Sequence, residues 1–95
     1  MGLFKKYSTD KNGLISDNDE IYNKLDKLYD EKKYDKIAET ILNIPFEKWS
    51  NRLWFRLISA YNNLKEFDKA ELELKKIQPR CENPSDTAHW FYMNA

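Results

Sequence analysis

Between Leu53 and Pro79 the chain reads LWFRLISAYNNLKEFDKAELELKKIQP, and its apolar residues follow a helical period twice. Leu53, Trp54, Leu57, Ile58, Tyr61 and Leu64 recur every three or four residues, which places them on one side of a helix. Phe67, Ala70, Leu74 and Ile77 repeat the pattern. Only Lys65 and Glu66 separate the two runs, a break that fits an antiparallel helical hairpin. An all-α fold is therefore predicted, and the rest of the chain is read against this hairpin.

An earlier hairpin is expected over 17–45. Its first helix starts at Asp17, with Glu20 three residues on completing a capping-box pattern, and presents Ile21, Leu25 and Leu28, widened by Tyr22 and Tyr29. Lys32 and Lys33 mark the turn, and a second helix runs from Tyr34 to Ile44. Pro45 stops it, because proline disfavours helix in the residue before it and donates no hydrogen bond. Phe46 and Trp49 follow in a linker that can cover the hairpin's end, and Ser50 is placed to cap the third helix. The later hairpin spans 50–79. After Pro84, residues 85–95 begin a fifth helix with Trp90 and Met93 on its apolar side. Residues 1–16 have no sustained period and are expected to form a flexible arm.

Two relations suggest that the hairpins are copies of one unit. Tyr34-Asp35-Lys36 returns as Phe67-Asp68-Lys69 after 33 residues, and Ile44-Pro45 is echoed by Ile77-Gln78-Pro79. Trp54, Leu57, Ala60-Tyr61, Leu64, Phe67 and Ala70, in that order and spacing, resemble a tetratricopeptide repeat. The resemblance covers one repeat well, a second loosely and the start of a third. Lys24-Leu25 and Leu57-Ile58 depart from the family's leucine-then-small pair. Lys32 and Lys65 stand where the family has its turn glycine.

The resemblance implies a short right-handed α-solenoid of about five helices, in which the first helix of each hairpin lines a concave groove. Carried over by motif, the groove takes Arg52, Phe55, Arg56, Ser59, Asn62 and Asn63 from the third helix. The first helix gives Asp19, Tyr22, Asn23, Asp26, Tyr29 and Asp30, and the fifth gives Ala88, Phe91 and Tyr92. Aromatics with Arg and Asn suit a protein or peptide partner. Two arginines can hold a carboxylate in a forked geometry, and the asparagine amides can bond an extended backbone. Two alternatives stay open: Phe55 and Tyr29 as part of the core stripes, and Arg56 paired with an acid of the first helix.

Composition narrows the function classes. Sixteen basic and sixteen acidic residues cancel, which argues against nucleic acid as a partner, since that binding needs surplus Lys and Arg. The charges are segregated: residues 17–31 carry six acids against Lys24 and Lys27, whereas 49–64 contain Arg52 and Arg56 with no acid. No apolar run reaches the ~20 residues of a membrane span, and Leu3, Phe4 and Tyr7 beside Lys5 and Lys6 are too short a stretch for stable interfacial binding. One cysteine, Cys81, allows no internal disulfide and suggests the cytoplasm. A richness in Lys, Asn and Ile hints at a low-GC bacterial source.

Catalytic signals are scarce, so no enzyme is expected. Two glycines cannot build a phosphate loop, and Cys81 with His89 lacks an orienting third group. Cys81, Glu82, Asp86 and His89 match no zinc spacing, so neither metal nor cofactor is expected. A non-enzymatic interaction module is the first expectation. A structural piece of a longer array is the second, self-assembling as a homodimer through an exposed C-terminal helix. A small bacterial inhibitor of immunity type is a related variant.

Overall fold

The structure, a computed structural model, describes residues 8–11, 13–16 and 19–80. Among these residues four helices form two hairpins: α1 (Ile21–Asp30) with α2 (Tyr34–Leu42), then α3 (Asn51–Asn63) with α4 (Phe67–Ile77). Short 3-10 turns at Phe46–Lys48 and Gln78–Arg80 follow each hairpin. Each helix packs against the next in sequence. Among the described residues there is no strand, only an isolated bridge between Thr9 and Ile15. No helix among them is long and apolar enough to cross a membrane. The fifth helix expected over 85–95, with Ala88, Trp90, Phe91, Tyr92 and Met93, lies outside the described residues.

The two hairpin turns share one geometry. Lys32 N–H donates to the Tyr29 carbonyl and Lys33 N–H to that of Leu28. Lys65 and Glu66 repeat both bonds onto Asn62 and Tyr61. These are the paired bonds of a Schellman motif, which satisfies carbonyls left over at a helix end. The motif requires a left-handed residue, and Lys32 and Lys65 supply it with φ of 58° and 63°. The following residues, Lys33 and Glu66, have φ/ψ of −93°/63° and −91°/65°. The missing turn glycines therefore leave the turn intact, with lysine carrying the backbone strain.

Helix α3 is the centre of the molecule. It lies between α2 and α4, and Leu53, Trp54, Phe55, Leu57, Ile58, Ala60 and Tyr61 are all buried. An amphipathic stripe suits a helix covered on one side, whereas α3 is covered on more than one. Phe55, expected on the groove, is only 3% exposed and belongs to the core for this reason. Ser50 caps α3 as expected, its Oγ accepting from Leu53 N–H at 3.1 Å.

Other elements depart from expectation at their ends. Helix α1 begins at Ile21, not at Asp17, which lies outside the described residues. Its first free N–H groups are met by Asp19, whose Oδ1 accepts from Ile21 N–H at 2.8 Å. Asp19 is buried in that role and is not a groove residue. Helix α2 ends at Leu42, although Ile44 stays in the core and donates to the Ile41 carbonyl. Phe67 is 59% exposed despite its place in the apolar period. As the first residue of α4 its side chain tilts back over the turn, beside Lys65 and Glu66, and not down into the core.

The described part of the expected arm is folded against the helices. Asp10 organises a turn: its carbonyl accepts from Gly13 N–H at 3.0 Å and its Oδ1 from Leu14 N–H at 3.1 Å. Gly13 has φ of 80°, a conformation open to glycine at no steric cost. Ile15 then enters the core at 1% exposure, with its N–H on the Lys48 carbonyl at 2.9 Å. Ser8 N–H donates to Asp19 Oδ2, so one buried carboxylate ties this segment to the start of α1. Fold and arm thus meet earlier in the chain than residue 16. A single isoleucine with no periodic neighbours gave no helical signal to reveal it.

Candidate functional site

The expected groove residues meet where α1 passes α3. Tyr22 is the pivot: its ring is 4% exposed, and its hydroxyl shares a hydrogen bond of 2.9 Å with Ser50 Oγ. Ser50 is also the α3 cap, so the tyrosine is fixed to the helix that carries both arginines. The guanidinium of Arg52 lies 4.5 Å from the Tyr22 ring centroid, and that of Arg56 lies 5.7 Å away. Both distances are in the range of cation–π attraction. Arg56 Nη1 also donates to Asp26 Oδ1 across the two helices. Arg56 does take an acid of the first helix, one of the alternatives open from sequence.

Around this pivot the other residues spread along the two helices. Asn23, Asp26, Tyr29 and Asp30 are exposed on α1. On α3, Arg52 and Asn63 are exposed, and Arg56, Ser59 and Asn62 are half-buried. Asn63 Nδ2 donates to the Ser59 carbonyl of its own helix at 2.9 Å, which turns that amide along α3. Tyr29 packs edge-on against Tyr34 with ring centroids 5.5 Å apart, so it reaches toward α2 while keeping an exposed side. Tyr22 forms the floor of the face and not its surface. Phe91 and Tyr92 lie outside the described residues.

A second constellation sits where the hairpins meet, of which the sequence offered Phe46 and Trp49 as a cover for the hairpin's end but not their partners. Phe46, Trp49 and Trp54 form a mutual cluster with centroids 5.1 to 5.9 Å apart. Trp49 Nε1 donates to the Ile44 carbonyl at 2.9 Å, and Trp54 Nε1 to Glu73 Oε1 at 2.9 Å. Arg80 closes the cluster: Nη2 donates to the Trp49 carbonyl at 2.7 Å, and its guanidinium lies 5.1 Å from the Trp54 ring. Asn51 Nδ2 in turn bonds the Arg80 carbonyl at 2.9 Å. The bonds of Asn51, Trp54 and Arg80 join residues 19 to 31 positions apart, a separation that no helical period announces.

Two surface hollows lie away from the arginine pair. One, of about 540 Å³, is lined by Lys24, Leu28, Lys33, Asp35, Lys36, Glu39 and Thr40 along α1 and α2. Another, of about 310 Å³, borders the α3–α4 turn beside Phe67. Both are open to solvent and edged by charged side chains, unlike the enclosed, mostly apolar sites that hold small molecules. Among the described residues no three His, Cys, Asp or Glu side chains gather as a metal site. Cys81, Glu82, Asp86 and His89 are not among them. Tyr61 has a phenol pKa raised above its ordinary value, first by burial and then by the negative charge of Glu73.

No protein-family model matches the chain. Comparison with curated proteins and with solved structures likewise returns no match.

Proposed function

We propose that the chain is a protein-interaction module, without enzymatic activity, whose α1–α3 face receives a segment of a partner protein or peptide. The observation that carries this reading is the fixing of Arg52 and Arg56 over the buried Tyr22 ring, itself bonded to Ser50. Arginine held in place loses little freedom when it engages a partner, and arginine is among the residues that dominate binding energy at interfaces. Asn23, Ser59 and Asn62 flank the pair with groups suited to an extended backbone.

A tetratricopeptide-like array is the architecture that goes with this reading. It is supported by the recurrence of one Schellman turn, with lysine in the left-handed position, at a period of 33 residues. A cytoplasmic setting in a bacterium belongs to the same reading and rests on the single cysteine and the composition. The test is a surface variant. Arg52→Ala with Arg56→Ala is expected to keep the helical circular dichroism and lose the partner recovered by the unaltered chain. Retention of that partner at equal affinity contradicts the reading.

A second reading is favoured by the exposure of Phe67 and Leu72 on α4. In it the chain is part of a longer array, or pairs with a second copy, through the apolar side chains that α4 exposes. Light scattering across a concentration series separates the two, since self-assembly raises the mass with concentration.

A further inference from the structure

We infer that Asp26 is an internal competitor for the arginine site: its carboxylate stands on Arg56 where an acidic group of a partner segment binds. The inference rests on the α1–α3 reading and deepens it by naming the partner's chemistry and a residue that regulates access. Four observations carry it.

The first is that Arg56 already holds a carboxylate, that of Asp26. The position therefore accepts this chemistry without rearrangement. The second is exposure: the Asp26 side chain is 57% exposed and that of Arg56 only 27%. The acid is the more exposed partner, on the solvent side, and the arginine is the more buried one, beside the Tyr22 ring. Exposed ion pairs add little to stability, so exchanging one carboxylate for another costs the fold little.

The third observation is Arg52, one helical turn before Arg56 and beside the same Tyr22 ring. It adds positive field to the site whatever its other contacts, and a carboxylate there is stabilised by both guanidiniums. The fourth is the acidity of α1, where Glu20 and Asp30 are exposed along with Asp26. These repel a run of acids and tolerate a single one. The preferred segment thus has one acidic side chain in neutral surroundings, the chemistry that Asp26 already presents to Arg56. A highly acidic tail is disfavoured.

The test uses the full chain and a capped pentapeptide of four alanines around one glutamate, with the glutamine peptide as control. Arginine Nε–Hε resonances are followed by NMR. The Arg56 signal is expected to shift with the glutamate peptide and not with the glutamine peptide, and to shift less as salt is raised. Asp26→Asn is expected to bind the glutamate peptide several-fold more tightly, and Arg56→Lys to lose most of the accompanying shift of the Arg52 signal. Equal shifts from both peptides overturn the inference, as does an Asp26→Asn variant, with native circular dichroism, that binds no better. A partner that still depends on Arg52 and Arg56 while Asp26→Asn changes nothing overturns the competitor role and leaves the interaction face standing.

Discussion

Lys32 and Lys65 hold the same left-handed position in the same helix-ending turn, 33 residues apart. Each sits where glycine relieves steric strain between Cβ and backbone. Lys32→Gly and Lys65→Gly are expected to stabilise the chain, by roughly 0.5–1 kcal/mol each. Lysine-to-alanine changes at the same places are expected to give almost nothing, since alanine keeps the strained Cβ. Urea unfolding at constant m-value measures both, and destabilisation by glycine is the contrary result.

Ile15 offers a separate check on the fold. A residue of a free arm is indifferent to truncation, whereas one buried in the core leaves a cavity. Ile15→Ala is expected to cost about 2–4 kcal/mol in denaturant unfolding, comparable with Leu57→Ala in the centre of α3. A cost below about 0.5 kcal/mol places Ile15 outside the cooperative unit.

Asp19 links that segment to α1 through two backbone donors, Ser8 and Ile21. Asp19→Ala removes a helix cap and unties the segment together, with an expected cost of about 1–2 kcal/mol. Amide hydrogen exchange at Ile15 and Ser16 is expected to accelerate more than exchange in the middle of α3. Uniform acceleration contradicts a local tie.

Tyr61 gives the pH dependence. Burial and Glu73 favour its neutral phenol, so its pKa is raised in the folded chain above the ordinary value of 10.0. The folded state therefore holds this proton longer than the unfolded one. The associated stability is fully present below pH 10 and is lost as pH rises through the raised pKa. Ultraviolet titration is expected to show a late-ionising tyrosine component that is missing from Tyr61→Phe. Alkaline loss of stability unchanged in Tyr61→Phe contradicts the assignment.

The sequence made the helices legible because their apolar residues repeat at helical spacing, and α3 and α4 begin and end close to where that period and Ser50 put them. It was less informative where coverage departs from one-sided burial. Phe55 lies off the stripe yet in the core, because α3 has neighbours on more than one side. Phe67 fits the stripe yet faces out, because a first-turn side chain leans over the turn. The pairing of Arg52 and Arg56 in the candidate site was legible, but its foundation was not. The Tyr22–Ser50 bond joins residues 28 apart, and neither type announces the other. The Trp54–Glu73 and Arg80–Trp49 bonds were hidden for the same reason.

The most direct test of the α1–α3 face is site-specific photo-crosslinking in cells that make the unaltered partner. A photoreactive residue is placed at Asn62 on the proposed face, or at exposed Lys75 on α4, with the rest of the chain unchanged. The account predicts one discrete adduct from Asn62, abolished by adding Arg52→Ala and Arg56→Ala, and none from Lys75. An adduct from Lys75 with none from Asn62 contradicts it and moves the interaction surface to α4.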